Sequence, residues 1–256
     1  MRELERAPSP APPRDPAPTI AVVGAGRLGT LLAGALRDAG RAVEGPLRRG
    51  EIPGADAGIV LLCVGDEQIA AAAAAVPTGP LVGHCSGATT LEPLGARPAF
   101  SLHPLMTVPP GAAADVLRGA GAAVEGSDPD ALAAAEGLAR DLGLVPLAIA
   151  PGDRPAYHAA ASIAANFLIT VEAAAERLGA SVGLERAQLV PLVRAAVDNW
   201  AALGPRRALT GPLARGDEAT VARQREAVSA RAPELLELFD GLAAATRRLA
   251  AEGAPC

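Results

Sequence analysis

A glycine-rich turn between an apolar run and a helical pattern most constrains what this chain can fold into. Residues 20–23 are apolar, and the turn that follows reads Gly24-Ala25-Gly26-Arg27-Leu28-Gly29. Apolar residues then recur at helical spacing until Gly40. A G-x-G-x-x-G turn between a strand and a helix is typical of dinucleotide-binding βαβ units, although glycine turns with a purely structural role are also common.

Each glycine of this turn has a physical role in the dinucleotide interpretation. Gly24 permits the tight turn out of the strand, Gly26 lets a pyrophosphate approach the backbone, and Gly29 lets the helix pack closely on the sheet. The start of the helix offers free N–H groups and the positive end of the helix dipole to an anion. We therefore predict that all six residues of the turn bind a dinucleotide.

The composition excludes several other classes of protein. The 256 residues carry a formal net charge of −5, which gives no general attraction to nucleic acid. The longest apolar run, 69–76, is too short to span a bilayer, and the first residues lack the apolar core of a signal peptide. The three cysteines have no metal-ligand spacing. We expect a cytoplasmic protein that acts on a small molecule, without a metal, membrane or nucleic-acid partner.

The sequence contains no lysine, which excludes any mechanism that needs a catalytic lysine. A phosphate group must therefore be bound by arginine side chains or by backbone N–H groups.

Alternating strands and helices predict an α/β fold for the first part of the chain. Apolar runs predict strands, and helical periodicity is found between several of them. The predicted strands are 20–23, 42–47, 58–64, 81–85, 99–103, 121–125 and 145–149, and the helices between them include 67–75, capped by Asp66, and 128–142. This alternation indicates a doubly wound, mainly parallel sheet.

Only helical periodicity follows residue 151. Helices are predicted over 155–178, 184–203, 217–230 and 233–251. We therefore divide the chain into a disordered proline-rich tail (1–18), a dinucleotide-binding domain (19–151) and an all-helical domain for substrate binding and dimerisation (152–256).

The residues after the second strand bear on which dinucleotide binds. An acidic side chain there would hydrogen-bond the ribose 2′-hydroxyl of NAD, whereas an arginine suits the 2′-phosphate of NADP. Glu44 lies within the strand, and Arg48 and Arg49 stand at its end. The two arginines predict NADP, with a pair of solvated surface arginines as the alternative.

Polar and turn residues follow three further strands, where ligands of open α/β sheets bind. Val64, Gly65, Ser86 and Gly87 are predicted to contact the cofactor, and His103 the substrate, although each could also belong to an ordinary loop. His84 lies within its strand and is predicted to be a packed, hydrogen-bonded imidazole. Cys63 and Cys85 are interpreted as small core residues.

The helical part carries a polar pattern at four-residue spacing. His158, Ser162 and Asn166 would share one face of an α-helix that is otherwise made of alanine and aliphatic residues. A histidine there can donate the proton that accompanies reduction of a carbonyl or imine, and the two other side chains can orient the substrate. A helix–helix hydrogen-bond network is the alternative.

Three later residues are candidates for substrate binding. Thr210 is a neutral donor, Arg215 can bind a carboxylate bidentately, and Asn199 precedes the single tryptophan. Asp217 is a suitable N-cap for the helix that follows, so a capping loop with a solvated arginine explains the same stretch.

Several of these motifs together resemble one bacterial family. They are the glycine turn, His84-Cys85-Ser86-Gly87, Ser101-Leu102-His103-Pro104, Tyr157-His158-Ala159-Ala160 with Asn166, and Leu209-Thr210-Gly211-Pro212 with Arg215-Gly216-Asp217. The combination is similar to proteins with a Rossmann-like domain followed by a DUF2520 domain. These are relatives of the F420-dependent NADP oxidoreductase, pyrroline-5-carboxylate reductase and 6-phosphogluconate dehydrogenase superfamily.

The resemblance implies a homodimer whose helical domain closes over the nicotinamide. Members of the superfamily that act on hydroxy acids commonly use a lysine on the first long helix of the second domain, where this chain offers His158 instead. Some proteins of this broad type are associated with the reduction of ketopantoate.

The resulting hypothesis is an NADPH-dependent oxidoreductase that reduces a small, carboxylate-bearing carbonyl or imine, such as a 2-oxo acid. A non-catalytic NADP-binding sensor or partner protein is the alternative. Binding of NADPH followed by a turnover screen separates the two.

Overall fold

The computed structural model describes residues 17–252. Of the predicted tail, residues 1–16 lie outside the described part of the chain, as does Cys256. The chain divides into two compact units between Ser162 and Ile163.

The first unit is built on one seven-stranded sheet. The strands are β1 (Thr19–Val23), β2 (Val43–Leu47), β3 (Ala57–Leu62), β4 (Leu81–His84), β5 (Ala99–Pro104), β6 (Gly121–Gly126) and β7 (Val145–Ala148). Their order in the sheet is β2-β1-β3-β4-β5-β6-β7. The first five strands pair in parallel, β6 is antiparallel to β5, and β7 is parallel to β6. The predicted mainly parallel sheet is confirmed.

The central strands are apolar because both faces of the sheet are covered. The side chains of Ile20 in β1 and Leu61 in β3 have no exposed area, as expected for parallel strands buried on two sides. Helix α1 (Arg27–Asp38) packs Leu32 and Leu36 into the same core. Helices α2 (Ile69–Ala74) and α3 (Pro129–Asp141) complete the layers, and the side chain of Asp128 caps α3 by accepting a hydrogen bond from the N–H of Ala131.

The predicted cap of the second helix is wrong. A 3₁₀ turn, Asp66–Gln68, comes first, and α2 starts only at Ile69. Asp66 caps neither element, because its Oδ2 accepts a hydrogen bond of 2.8 Å from Oγ of Ser86. The carboxylate therefore links the end of β3 to the end of β4.

The division of the chain falls later than the predicted boundary after residue 151. Helix α4 (Arg154–Ser162) belongs to the first unit by its contacts, because its first residue is buried among strand ends of that unit.

The described part of the second unit is entirely helical, as predicted. A π-helical segment, Ile163–Phe167, is followed by α5 (Leu168–Ala180) and α6 (Arg186–Leu203). The short helices α7 (Pro205–Ala208) and α8 (Pro212–Arg215) lead to α9 (Glu218–Arg231) and α10 (Leu236–Ala251). Asp217 caps α9 by accepting a hydrogen bond of 3.1 Å from the N–H of Thr220, so the predicted N-cap is confirmed.

One helical stretch exceeds the apolar run identified from the sequence. Pro151–Ala180 is 30 residues long and contains an 18-residue window with a mean hydropathy of 1.2, none of which is buried. Length and composition alone would let it cross a membrane, which the expectation based on residues 69–76 did not anticipate. A single stretch of this kind is weak evidence for a membrane span.

Candidate functional site

The glycine turn has the geometry that a dinucleotide site requires. Gly24 has φ = 111°, a conformation that favours glycine. A Cβ added to Gly29 would lie 1.9 Å from the carbonyl oxygen of Gly24, so α1 can start here only with glycine at that position. Gly26, in contrast, has nothing within 4 Å of an added Cβ. Its side of the backbone is therefore open to a ligand.

A cavity of about 680 Å³ opens beside this turn and fits a nicotinamide dinucleotide in size and chemistry. It is lined by seven of the residues predicted to bind the cofactor, namely Gly24, Ala25, Gly26, Arg48, Arg49, Val64 and Gly65. No side chain caps the start of α1, so its first N–H groups stay free to bind phosphate.

The remaining predicted cofactor residues lie elsewhere. Arg27 lines a smaller cavity on the other side of the turn, together with residues 109–112. Leu28 packs against the core and Gly29 is buried, so both act through the shape of the turn. Ser86 and Gly87 are buried at the end of β4.

The acidic residues near β2 have backbone partners. Both carboxylate oxygens of Glu44 accept hydrogen bonds from the N–H of Gly54, at 3.1 and 2.9 Å. Glu51 lines the cavity, and its Oε2 accepts a hydrogen bond of 2.6 Å from the N–H of Arg48. The side chains of Arg48 and Arg49 are exposed at the cavity edge. The cavity thus presents two guanidinium groups and one engaged carboxylate.

A buried arginine ties the first turn of α4 to the ends of three strands. Arg154 is only 1% exposed. Its Nε donates a hydrogen bond of 2.7 Å to the carboxylate of Glu125 on β6, and its two Nη atoms donate to Oγ of Ser101 and to the carbonyl oxygen of Ser86. An arginine buried this deeply is stable only with its charge paired and its donors satisfied.

The phenol of Tyr157, one helical turn after Arg154, pairs with the imidazole of His103 on β5. Nδ1 of His103 and the hydroxyl of Tyr157 are 2.7 Å apart, and their rings meet edge to face at a centroid separation of 5.6 Å. The ring of His158, which is exposed, lies 6.4 Å from that of His103. The fold therefore brings together two of the predicted site residues, His103 and His158, with Tyr157.

The protonation of this pair follows from its burial. Burial, reinforced by the neighbouring His158, lowers the pKa of His103 to about 4, and burial raises the pKa of the Tyr157 phenol. At neutral pH the phenol therefore keeps its proton and the imidazole is neutral.

The low pKa of His103 predicts a loss of stability in acid. Unfolding raises this pKa from about 4 to 6.5, so the unfolded chain binds the extra proton first. The stabilising contribution is complete above pH 6.5 and is lost as the pH falls towards 4, by roughly 2–3 kcal/mol. We expect His103→Gln to flatten this part of the dependence, measured by urea unfolding at pH 4.5 and 7. An unchanged dependence in the variant would assign the acid sensitivity to other groups.

The residues that follow β4 include one that packs against His103, and hydrogen bonds fix its neighbours. A Cβ added to Gly87 would meet Cε1 of His103 at 2.8 Å, so the glycine lies against the imidazole ring. Oγ of Ser86 accepts hydrogen bonds from the N–H groups of Ala88 and Thr89. Fully buried His84 bonds the carbonyl oxygen of Thr90 through Nε2 and accepts from the N–H of Ser86, which confirms the predicted packed imidazole.

The polar side chains at four-residue spacing lie in two different kinds of helix. His158 and Ser162 lie in α4, but Asn166 lies in the π-helical segment. A π turn contains more residues than an α turn, but four positions still advance close to one full turn, so the change of helix type alone does not remove Asn166 from the predicted face.

The remaining predicted substrate residues belong to the second unit. Asn199 lies on α6, Thr210 precedes α8, and Arg215 ends α8. All three are exposed, and none makes a side-chain hydrogen bond within residues 17–252. Their side chains are thus available to a ligand, and their role stays a prediction.

Three residues of this site were not singled out from the sequence: Tyr157, Arg154 and Glu125. A signal for two of them was present, because Arg154, Tyr157 and His158 are spaced i, i+3 and i+4 and so share one face of α4. Glu125 lies on β6 and could not be connected to Arg154 without the fold.

The comparisons with known proteins agree with this architecture. Residues 120–246 match the family described as "Domain of unknown function (DUF2520)". No curated protein matches the chain.

Solved structures share the fold over nearly the whole chain. The "putative NADP oxidoreductase BF3122" from Bacteroides fragilis has a TM-score of 0.76 at 19% identity, covering 90% of this chain and 98% of that one. Protein TM1727 from Thermotoga maritima has a TM-score of 0.73 at 23% identity, covering 91% and 98%. The 1-pyrroline-5-carboxylate reductase from Streptococcus pyogenes has a TM-score of 0.60 at 14% identity, covering 91% and 97%. The predicted Rossmann-like fold is confirmed.

Proposed function

We propose that this chain, whose residues 120–246 match the DUF2520 family, is an NADPH-dependent oxidoreductase that reduces a small, carboxylate-bearing carbonyl or imine. The observation that carries the proposal is the open cavity at the glycine turn, edged by two arginines, in a unit that also holds the His103–Tyr157–His158 cluster. Two structures with this fold, one described as a "putative NADP oxidoreductase" and one as a 1-pyrroline-5-carboxylate reductase, support the same class of reaction.

The chain's own residues hold the cofactor in this proposal. The backbone at Gly26 and the first N–H groups of α1 bind the pyrophosphate, while Arg48 and Arg49 bind the 2′-phosphate. Val64 and Gly65 border the same cavity. When bound, the nicotinamide supplies a hydride to the substrate.

Proton transfer is the task that remains for the side chains. His158 is exposed and lies beside the neutral His103, so it can donate a proton to the oxygen or nitrogen of the substrate. Tyr157 and His103 share a hydrogen bond and can hold the imidazole of His158 in a polar surrounding. Because the chain contains no lysine, a histidine takes the part that lysine has in many dehydrogenases of this superfamily.

Binding of the substrate carboxylate is assigned to Arg215, whose planar guanidinium suits a 2-oxo acid such as ketopantoate or a cyclic imino acid. Ser162, Asn166, Asn199 and Thr210 supply neutral donors and acceptors for the rest of the substrate. This assignment rests on the chemistry of the side chains and on their exposure, since every one of them except Ser162 is exposed.

A turnover screen tests the reaction. Purified protein with NADPH is offered 2-oxo acids and cyclic imines, and loss of nicotinamide absorbance is followed. For a substrate found in this way, we expect His158→Gln to lower kcat by about 10²- to 10⁴-fold, since a positioned proton donor contributes that much. The NADPH dissociation constant and the melting temperature serve as controls and should not change. Full activity of the variant would remove His158 from the mechanism.

The same screen separates the two classes of function. NADPH binding without turnover of any compound would favour an NADP-binding sensor or partner protein. Failure to bind either nicotinamide dinucleotide would contradict both.

Arg48 and Arg49 should set the cofactor preference. Charge-assisted hydrogen bonds to a phosphate contribute about 1.5–3 kcal/mol, so we expect the double variant Arg48→Ala/Arg49→Ala to weaken NADPH binding by roughly 10- to 100-fold. NADH binding should change little. Arg140→Ala, which removes a surface arginine of α3, is the matched control.

Glu51 provides the opposing test, because its carboxylate lines the same cavity. Glu51→Gln should leave NADPH binding intact. If the wild type bound NADH more tightly and this variant lost that binding, the preference for NADP would be wrong.

A homodimer is proposed from the second unit. None of the 18 residues of α6 is buried, and the apolar side chains of Ile169, Leu192 and Trp200 are each more than half exposed. An isolated helix of this length is marginal in water and needs an apolar partner. A second copy presents the same surface and covers it with two-fold symmetry.

Light scattering in detergent-free buffer tests the assembly. We expect twice the chain mass of 25.5 kDa, in a protein recovered from the cytoplasmic fraction. A monomer of that mass, or recovery with the membranes, would contradict the proposal.

A further inference from the structure

Two cysteines that the proposed reaction does not use lie side by side next to the glycine turn. Strands β3 and β4 are parallel neighbours whose last registered pair is Leu62 with His84. Cys63 and Cys85 follow directly on the two strands, and their sulfur atoms are 3.7 Å apart. This is hydrogen-bond distance for a pair of thiols.

The two thiols differ in access from the cavity. Cys85 is buried, and the hydrogen bond to Cys63, together with burial, raises the pKa of its thiol. Cys63 is partly exposed and lines the cavity beside the glycine turn. A reagent in the cavity therefore reaches Cys63 first, while Cys85 stays protonated behind it.

A metal site does not explain the pair. Within residues 17–252, no group of three or more histidine, cysteine or carboxylate side chains could hold a metal ion. Two thiols in contact, one of them open to a cavity, are instead the arrangement in which oxidation of the first is completed by the second.

We propose that Cys63 and Cys85 form an oxidisable dithiol, which a hydroperoxide converts into an intramolecular disulfide beside the glycine turn. The sulfur of Cys63 attacks the outer oxygen of the peroxide, giving a sulfenic acid and releasing an alcohol, or water where the oxidant is hydrogen peroxide. The sulfur of Cys85 then attacks that sulfur, the S–S bond forms, and the hydroxyl leaves as water with the proton of the Cys85 thiol. The two thiols together lose two electrons, and these two electrons cleave the O–O bond of the hydroperoxide.

The neighbouring backbone allows the bond to form. Adjacent strands of a sheet lie about 4.8 Å apart, within the Cα separations that disulfides span. The sulfur atoms must approach by about 1.7 Å to reach bonding distance, which rotation of the two side chains supplies.

The position of Cys63 couples the disulfide to the cavity. A Cβ added to Gly29 would lie 3.1 Å from Cβ of Cys63, and one added to Gly24 would lie 2.3 Å from its carbonyl oxygen. The glycine turn is thus in close contact with Cys63. A dinucleotide bound there covers the thiol, an expectation that rests on the proposed function.

The test uses the full chain with Cys256 replaced by serine, so that two thiols remain. After treatment with hydrogen peroxide, we expect a mass loss of about 2 Da, two thiols lost together and full reversal by dithiothreitol. Trypsin leaves both cysteines on one peptide, because no lysine or arginine lies between Arg49 and Arg97. Cleavage at acidic residues separates them at Asp66 and Glu67, so the cross-linked pair is then visible by mass spectrometry.

The variants Cys63→Ser and Cys85→Ser are the controls, and each should lose the reversible mass loss of about 2 Da that marks the disulfide. Gains of about 32 or 48 Da on single cysteines in the parent, from sulfinic and sulfonic acids, would overturn the proposal. So would two thiols that resist both peroxide and the bifunctional thiol reagent dibromobimane, a readout that needs no variant.

Saturating NADP⁺ should slow disulfide formation by at least roughly tenfold, which places Cys63 under the bound dinucleotide by mass action. Disulfide formation at an unchanged rate with NADP⁺ bound would overturn that placement. Failure of NADP⁺ to bind, measured separately by calorimetry, would count against the proposed function, because the mass and thiol measurements are made without nucleotide.

Discussion

Gly26→Ala should weaken binding of NADPH by roughly 10- to 100-fold while the protein keeps its stability. The added methyl group meets no protein atom within 4 Å, and the residue has φ = −78°, which alanine adopts freely. The only atoms that it can crowd are those of a ligand on the open side of the turn. Crowding of a close-packed contact costs about 1–3 kcal/mol, which corresponds to this loss of affinity.

Two glycines within α1 make this experiment specific. Gly34→Ala also meets open space, but it lies further along the helix and should leave binding unchanged. Gly29→Ala would place a methyl group 1.9 Å from a backbone oxygen and should destabilise the fold itself. Binding by calorimetry and melting temperature by scanning calorimetry, measured for all three, separate a ligand contact from a folding requirement. Wild-type affinity of the Gly26 variant would remove the pyrophosphate from this turn.

The glycine turn and the sheet were predictable because their signals are local. The short, fully apolar segment at β3 is typical of a buried strand, and the turn after β1 needs residues without side chains within a span of six positions. His84 could be assigned to packing because it lies within an apolar strand. In each case the interaction that fixes the structure involves residues close together in the sequence.

The polar part of the site was only partly predictable, because its contacts join distant segments. The three hydrogen-bond partners of Arg154 are separated from it by 29, 53 and 68 positions in the sequence. Its sequence neighbours indicate a helix start, where a solvated arginine would fit equally well. The partner carboxylate lies on β6, a strand that pairs antiparallel to β5, and an apolar run indicates a strand but not its direction.

The π-helical segment shows a different limit. The alignment of His158, Ser162 and Asn166 assumed 3.6 residues per turn throughout. Ile163–Phe167 departs from that value. The segment contains neither proline nor glycine, so its sequence gives no signal of the change. π-Helical turns are frequent at functional sites, which adds to the interest of Asn166 as a candidate.

Arg154→Met should destabilise the protein by about 3–5 kcal/mol, a large fraction of the stability of a typical domain. Methionine fills much of the volume, but it leaves the Glu125 carboxylate, which is only 12% exposed, without its partner. Oγ of Ser101 and the carbonyl oxygen of Ser86 lose a donor in the same step. Unfolding in urea at pH 7 measures the change. The exposed pair of Arg140 with Glu136 provides the control, since Arg140→Met should cost no more than about 0.5 kcal/mol.

The double variant Arg154→Met/Glu125→Gln distinguishes the charge from the packing. Most of the cost of the single change is an unpaired buried carboxylate, so neutralising that carboxylate should restore about 1–2 kcal/mol of the free energy of unfolding. Equal stability of the single and double variants would show that the arginine acts through its volume alone. If the charge pair does anchor the first turn of α4, the single variant should also lose turnover at a temperature where it remains folded, because Tyr157 and His158 lie one turn further along that helix.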